Sequence, residues 1–294
     1  MYKTLAFIHR NDTRFAVGDF YPVLSVFSHH DLGTTTSPFL LLDHLGPGIL
    51  AAKSKRKGVN QHPHRGFETV TLMFDGELQH QDSSGGGGII SAGDVQWMTA
   101  GAGILHKEEF SPTFRENGGR FEMVQLWVNL PSHAKLVSAH YQSLLADQIP
   151  QAQLLNDAGY FRVIAGQYQD LLGPAHTYSE IQLVDIFIQQ GKSVMLSAQH
   201  GHTSMVYLRS GQLQLDEHDM MDAQGLAVMS SLGRDFLVTA LKDSHLILLN
   251  GAPLNEPLVA HGPFVMNTQA EILASYQAFK EGTFGQSQEG IANE

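Results

Sequence analysis

The sequence predicts an all-β fold made of two barrel-like halves. Short runs rich in β-branched, aromatic and aliphatic residues, such as 69–74 and 123–128, alternate with turns marked by glycine, proline, Asn or Asp. Many short strands with strong turn signals are typical of a β-sandwich or a β-barrel. Few segments favour a helix. The two best candidates are residues 132–145 and 271–279, and the second has apolar residues on one face.

A short internal similarity indicates that the barrel is duplicated. Residues 207–213 (Tyr-Leu-Arg-Ser-Gly-Gln-Leu) resemble residues 72–78 (Leu-Met-Phe-Asp-Gly-Glu-Leu), which aligns Gly211 with Gly76. We therefore predict three parts: an N-terminal barrel over 1–131, a C-terminal barrel over 132–260, and a tail over 261–294. The tail contains a short helix and is expected to pack back across the barrels, because its apolar run and one-sided helix need a surface to cover.

Composition excludes several classes of protein. The 294 residues contain no cysteine, which rules out disulfides, zinc–thiolate sites and cysteine nucleophiles. A formal net charge of −11 argues against direct binding of nucleic acid through the net field. No apolar run approaches the roughly 20 residues that span a bilayer, and the N-terminus lacks the features of a secretory signal. We expect a cytoplasmic protein that does not bind membranes.

Two short motifs carry the predicted chemistry. His62-Pro63-His64 and His106-Lys107-Glu108 are i, i+2 pairs within β-like stretches, and alternate side chains of a strand point to the same face. Three imidazoles and a carboxylate that converge inside a small barrel would bind a divalent transition metal and leave coordination positions open. Imidazole suits iron, copper, nickel and zinc alike, and a mixed histidine and carboxylate set is used by oxygen-activating iron. The motifs therefore favour oxygen or hydrolytic chemistry at a metal.

Four longer stretches closely resemble the pirin family. They are residues 62–70 (His-Pro-His-Arg-Gly-Phe-Glu-Thr-Val), 93–101, 125–130 and 261–268, and the similarity extends over nearly the whole chain. The resemblance implies a bicupin, with two double-stranded β-helix barrels of which only the first binds a metal. It implies four ligands: His62, His64, His106 and Glu108. It also implies one divalent metal per chain, with Fe(II) expected first and Ni, Cu, Mn or Zn as alternatives.

Two glutamates, Glu68 and Glu108, are candidates for the carboxylate ligand. In many cupins the glutamate at the position of Glu68 binds the metal, whereas the pirin pattern selects Glu108. We predict Glu108 as ligand and Glu68 as a neighbour that orients a ligand histidine. Gln96 and Trp97 are expected to pack or hydrogen-bond near the site without binding the metal.

Other histidines are interpreted as structural or solvated. His80 and Asp82 lie on a neighbouring hairpin and are expected to face solvent. The run His200-Gly201-His202 has the spacing of the first motif, but the alignment of Gly76 with Gly211 does not bring it opposite that motif. No second metal site is predicted.

The resemblance implies a function of the pirin type. Some pirins act as quercetin 2,3-dioxygenases, so we expect a dioxygenase that cleaves a flavonol such as quercetin with O₂. Glu108 would accept the proton of the enolic hydroxyl of the substrate. The alternative is a metal-dependent regulatory protein that binds a protein partner without catalysis, since other pirins are nuclear transcriptional co-regulators. Oxygen uptake with quercetin separates the two.

Overall fold

Two compact β-rich units make up the protein, and the computed structural model describes its residues 1–215 and 219–284. The unit here called the first barrel comprises Thr13–Ser25, Phe39–Ala146 and Leu254–Glu294. The unit called the second barrel comprises Met1–Asp12, Val26–Pro38 and Asp147–Pro253. The predicted all-β fold of two barrels with a short C-terminal helix is confirmed.

The strands follow one another along the whole chain. The first twelve are β1 (Leu5–His9), β2 (Arg14–Val17), β3 (Phe20–Ser28), β4 (Phe39–Leu50), β5 (Gly58–His64), β6 (Phe67–Asp75), β7 (Glu77–Asp82), β8 (Gly87–Ser91), β9 (Val95–Thr99), β10 (Ile104–Phe110), β11 (Gly119–Asn129) and β12 (His140–Leu144). The remaining twelve are β13 (Gln151–Gln153), β14 (Gly159–Ala165), β15 (Gln167–Tyr168), β16 (Leu171–Leu172), β17 (Ile181–Ile188), β18 (Ser193–Leu196), β19 (Thr203–Gln214), β20 (Met220–Asp222), β21 (Leu226–Met229), β22 (Phe236–Gly251), β23 (Val259–His261) and β24 (Phe264–Met266).

Helices are few and short. The α-helices are α1 (His29–Leu32), α2 (Pro112–Asn117) and α3 (Gln269–Glu281), and single 3₁₀ turns cover Gly33–Thr36, Ser132–Ala134, Ala146–Gln148 and Leu155–Asp157. No helix among the described residues is long and apolar enough to cross a membrane.

Apart from one edge strand, the main sheets of the two barrels arrange their strands in the same order relative to the chain. In the first barrel the order is β12-β9-β6-β11-β4-β3-β2, and in the second it is β1-β21-β19-β22-β17-β14-β13. A further sheet, β5-β10-β7-β8, belongs to the first barrel. Gly76 directly follows β6, and Gly211 lies within β19, the equivalent strand. Both have a positive φ (86° and 100°) that favours glycine. The internal similarity in the sequence therefore reflects a repeated sheet.

The division between the barrels is interleaved along the chain. Strand β1 lies in the sheet of the second barrel, and β12, at residues 140–144, lies at the edge of the first. The predicted continuous segments 1–131 and 132–260 do not capture this exchange of edge strands. Long-range strand pairing creates it, and pairing between distant segments leaves no local signal in the sequence.

The C-terminal tail packs on the first barrel. The backbone N–H of Val265 donates to the carbonyl of Arg65 (3.0 Å), and the Arg65 N–H donates to Pro263 (3.3 Å). The buried ammonium of Lys135 donates to the carbonyl oxygens of Gly66 (2.7 Å) and Val265 (2.9 Å). The tail thus runs beside the segment that follows His64. Residues 285–294 of the predicted tail lie outside the described residues.

One helix prediction is confirmed and the other is wrong. Helix α3 includes residues 271–279, begins with a capping box between Thr268 and Glu271, and ends at Gly282 in the left-handed conformation. Residues 132–145 instead form a single 3₁₀ turn and the strand β12. Pairing of β12 with the edge of β9 supplies backbone hydrogen bonds that outweigh the weak local preference for a helix.

Candidate metal centre

Strands β5 and β10 bring the two predicted ligand motifs together. They pair antiparallel, with His106 opposite His62 and Ile104 opposite His64. The register shifts between His106 and Glu108, where β5 has one residue more than β10, and both side chains are buried. The i, i+2 spacing on each strand directs the members of each pair to one side, as the motifs predict.

Three histidines form a compact group. The ligand-competent nitrogens of His62, His64 and His106 all lie within 4.8 Å of one another. The Nε2 atoms of His62 and His64 are 3.1 Å apart. His62 donates its Nδ1–H to the carbonyl of Asn60 (2.8 Å), which leaves a lone pair on Nε2. Two nitrogens that converge in this way suit a shared cation.

The electrostatic environment keeps two of these imidazoles neutral. Burial lowers the pKa of His106 well below its usual value, and the neighbouring His64, His62 and His80 lower it further. Burial and His62 also lower the pKa of His64, although the carbonyl of Pro263 opposes the shift. A neutral imidazole is the form that binds a metal, because its free nitrogen carries the lone pair.

His80 and Asp82 extend this centre by a hydrogen-bond chain. The Nε2 of His80 donates to Oδ2 of Asp82 (2.9 Å), and its Nδ1 lies 3.5 Å from Nδ1 of His106. Hydrogen bonds from His80, Ser84 and Gly86 lower the pKa of Asp82 to about 2 against the effect of burial. In the tautomers that satisfy this chain, His106 donates through Nδ1 and its Nε2 keeps a lone pair. That Nε2 atom is buried and has no hydrogen-bond partner.

The expectation that His80 and Asp82 face solvent is therefore wrong. Both side chains are fully buried, and the His80 ring stacks on Tyr141 with centroids 4.7 Å apart. Pairing of β7 with β10 sets Asp82 opposite His106 and His80 opposite Glu108. This register joins residues distant in sequence, which is why the local pattern of the hairpin did not reveal it.

Glu108 is held by donors from three strands of the opposite sheet. Its Oε1 accepts hydrogen bonds from Thr71 (3.3 Å) and Gln96, and its Oε2 accepts one from Gln125 (2.8 Å). Its carboxylate lies in a group of possible ligands with His80 and His106. Among the described residues, Glu108 shares no such group with His62 or His64. The structure thus brings the three histidines together and places Glu108 next to one of them.

The donors to Glu108 belong to a polar row across the main sheet. Gln96 on β9 lies opposite Thr71 on β6, Thr71 lies opposite Gln125 on β11, and Gln125 lies opposite Asp43 on β4. We call Gln96, Thr71, Gln125 and Asp43 the polar row. The first three contact Glu108, and the fourth continues the row away from it.

The remaining predicted neighbours lie in different places. Glu68 is fully buried and accepts a hydrogen bond from the hydroxyl of Thr99 (2.7 Å), opposite it on β9. It belongs to neither group of possible metal ligands found among the described residues. Gln96 contacts Glu108 directly. Trp97, the next residue, is buried and by alternation points to the other face of β9.

An open cavity of about 290 Å³ leads to the centre. Its polar lining comes from His62, His64, Glu108, Gln125 and Asp43. Its other walls are apolar or aromatic and include Phe15, Phe20, Val23, Leu41, Met123 and Trp127. Trp127 was not among the predicted site residues, and its ring centroid lies 5.2 Å from that of His64. Trp127 lies two residues after Gln125 on β11, so strand alternation directs both side chains to the same face. This spacing was the available signal in the sequence.

The second barrel has no equivalent group in the part of the chain that is described. His200 accepts a hydrogen bond from the Gly233 N–H (3.2 Å), and His202 lies 3.8 Å from Glu180. Neither histidine belongs to a set of three possible ligands. The centre in the first barrel, in contrast, offers neutral imidazoles, an unpartnered Nε2 and a nearby carboxylate, a donor set that fits a divalent transition metal.

Comparison with known proteins gives the family. Residues 21–128 match the family described as Pirin, and residues 183–285 match the Pirin C-terminal cupin domain. The chain belongs to the pirin family. A Pseudomonas aeruginosa protein named "Putative quercetin 2,3-dioxygenase" is 45% identical over 96% of this chain and 98% of its own length. Mouse Pirin is 36% identical over 84% of this chain and 83% of its own length.

A solved structure agrees with this assignment. The crystal structure of quercetin 2,3-dioxygenase from Acinetobacter baumannii superposes with a TM-score of 0.93 at 45% identity. The match covers 98% of this chain and 100% of the other. The resemblance stated from the sequence motifs is confirmed at the level of family and fold.

Proposed function

We propose that the protein is a metal-dependent dioxygenase that cleaves the ring of a flavonol such as quercetin with O₂. The observation that carries the proposal is the cavity, in which His62, His64 and Glu108 line one part and apolar and aromatic side chains line the rest. Such a cavity suits a flat aromatic molecule that has one acidic hydroxyl. The names of the similar proteins from Pseudomonas aeruginosa and Acinetobacter baumannii support the same substrate class.

The metal would be held by His62, His64, His106 and Glu108. When bound, a divalent transition metal lowers the pKa of a coordinated hydroxyl and brings the substrate and O₂ together. We expect one ion per chain, with Fe(II) first and Ni, Cu, Mn and Zn as alternatives. The chain of His106, His80 and Asp82 would fix the tautomer of His106 and so keep Nε2 available.

Glu108 is proposed to accept the proton of the enolic hydroxyl of the substrate. Hydrogen bonds from Gln96, Thr71 and Gln125 hold its carboxyl group and set its direction. The apolar walls exclude water from the reacting ring, which strengthens these electrostatic contacts. A base positioned in this way contributes roughly 10²–10⁴-fold to the rate.

Oxygen consumption tests the proposal. The protein is loaded anaerobically with Fe(II), its metal content is measured, and quercetin is added in air-saturated buffer. Oxygen uptake together with loss of the quercetin absorption band is the expected result. Metal-loaded protein that takes up no oxygen with quercetin would contradict the dioxygenase assignment and favour the regulatory alternative.

A further inference from the structure

Asp43 is a buried carboxyl in the wall of the cavity. It ends the polar row, opposite Gln125 and hence one strand spacing of about 4.8 Å beyond the last donor to Glu108. It lines the same cavity as His62 and His64. A ligand that contacts Glu108 at one end can therefore extend along the row to Asp43.

One oxygen of this carboxyl is left without a partner. A hydrogen bond joins the Asp43 side chain to Ser25, but Oδ1 is buried and unpaired. Burial raises the pKa of Asp43 to about 7, and the Ser25 hydrogen bond opposes that shift. Buried polar atoms are nearly always hydrogen-bonded, so an orphaned carboxyl oxygen in a cavity wall points to a missing donor.

The second barrel shows what the fold itself needs at this position. Strand β17 takes the place of β4 in the repeated sheet, and its Val184 lies opposite Leu248 as Asp43 lies opposite Gln125. Val184 is fully buried in an apolar core. The sheet therefore accepts an apolar residue here, and support of the fold does not explain a carboxyl.

We propose that Asp43 is a specificity-determining residue that accepts a hydrogen bond from a substrate hydroxyl remote from the metal centre. The assignment rests on the proposed function, since it takes the substrate to be a flavonol. It narrows the substrate class to planar aromatic molecules with at least two hydroxyl groups. One hydroxyl is the acidic group at the metal centre and the other lies on a ring that reaches β4. The apolar walls would contact the rings between them.

Binding of two flavonols to the metal-loaded protein tests this role. Quercetin carries several ring hydroxyls besides its 3-hydroxyl, and 3-hydroxyflavone carries none. Their dissociation constants are measured under anaerobic conditions with the Fe(II)-loaded protein, so that no turnover occurs. The wild-type protein should bind quercetin at least tenfold more tightly, the effect of one hydrogen bond to a buried carboxyl.

The Asp43→Leu variant should bring the two affinities to within about twofold of each other, with unchanged metal content. Asp43→Asn, which keeps the shape of the side chain and an acceptor oxygen, should retain part of the preference and covers the case in which the leucine variant does not fold. Leu41→Ala is the matched control on the same strand. This substitution shortens an apolar side chain of the wall and so enlarges the cavity. It should weaken the binding of both flavonols by similar factors.

The outcomes separate the two proposals. If the Asp43 variants bind both flavonols with the wild-type preference, the role of Asp43 is overturned and the proposed function stands. If the metal-loaded wild-type protein binds neither flavonol, the proposed function is contradicted and this assignment falls with it.

Discussion

The two barrels differ most clearly along one line of side chains. In the first barrel the polar row crosses β9, β6, β11 and β4 as Gln96, Thr71, Gln125 and Asp43. In the second barrel the equivalent register crosses β21, β19, β22 and β17, and its residues are Ala227, Val206, Leu248 and Val184. All four of these residues are fully buried in the apolar core.

The comparison shows which residues the fold needs and which the chemistry needs. The same sheet forms with either set, so hydrogen-bonding capacity inside the first barrel is not required for folding. Glu108 receives donors from the polar row, and it lies next to His106, which also belongs to the group of three histidines. The second barrel thus keeps the architecture alone, and the first barrel adds the group of possible metal ligands.

The largest effect is expected from loss of the carboxylate at the centre. Glu108→Gln should lower oxygenase turnover by roughly 10²-fold or more, because it removes the proposed base and a charged ligand. Glu68→Gln is the matched control, since Glu68 contacts Thr99 and belongs to neither group of possible ligands in the described chain. Turnover is measured together with metal content. A reversed ranking would move the catalytic role to Glu68.

Removal of the tail should destabilise the barrel with the metal centre. Phe264, Met266 and Ile272 are buried in one apolar cluster, and each such side chain contributes about 1.5–3 kcal/mol. Deletion of residues 262–294 should lower the melting temperature and increase ANS fluorescence. Lys135→Met, which breaks the hydrogen bonds from Lys135 to Gly66 and Val265, should give a smaller decrease. Unchanged melting and dye binding in the truncated protein would show that the tail is dispensable.

The hydrogen-bond chain behind His106 should tune the affinity for the metal. His80→Phe keeps a ring that can stack on Tyr141 but removes both nitrogens, and it should weaken metal binding by roughly 10- to 100-fold. Competition with a chelator measures this affinity. Tyr141→Phe retains the stacked ring and the chain, and its affinity should match that of the wild type. Equal affinity in the His80 variant would assign His80 a packing role alone.

A polar side chain placed in the second barrel should only cost stability. Leu248→Gln puts an amide at the position of Gln125 but among apolar neighbours, and an unsatisfied buried polar group costs about 1–3 kcal/mol. Urea denaturation measures the change. Leu237→Gln, at a position of β22 that is 50% exposed, is the control and should change the free energy of unfolding by less than about 0.5 kcal/mol. An unchanged free energy of unfolding in Leu248→Gln would show that this interior tolerates polar groups.

The sequence predicted those features whose signal lies within a single segment of the chain. His62 with His64, and His106 with Glu108, are neighbours on one strand, so their spacing alone placed each pair on one side. Helix α3 carries its own caps and apolar face, and it was predicted. The predictions that were wrong concern residues whose structure depends on pairing between distant strands. β12 formed because β9 has a free edge, and His80 became buried because β7 pairs with β10.

The polar row could not be predicted from the sequence, because it too depends on pairing between distant strands. Gln96 was predicted to lie near the site, and Gln125 begins one of the stretches that resemble the family, whereas Thr71 and Asp43 carry no local signal within their strands. They form a row only because four strands from separate parts of the chain align in register. A side chain's neighbours across a sheet are set by that register, which the hydrophobic pattern of one strand does not specify.

Metal content per chain tests the contrast between the barrels most directly. Wild-type protein, His106→Ala and His202→Ala are loaded anaerobically with Fe(II), freed of excess metal and analysed for bound ion. One ion per chain is predicted for the wild type and for His202→Ala, and a strongly reduced content for His106→Ala. Two ions per wild-type chain, or full metal content in His106→Ala, would contradict a single centre in the first barrel.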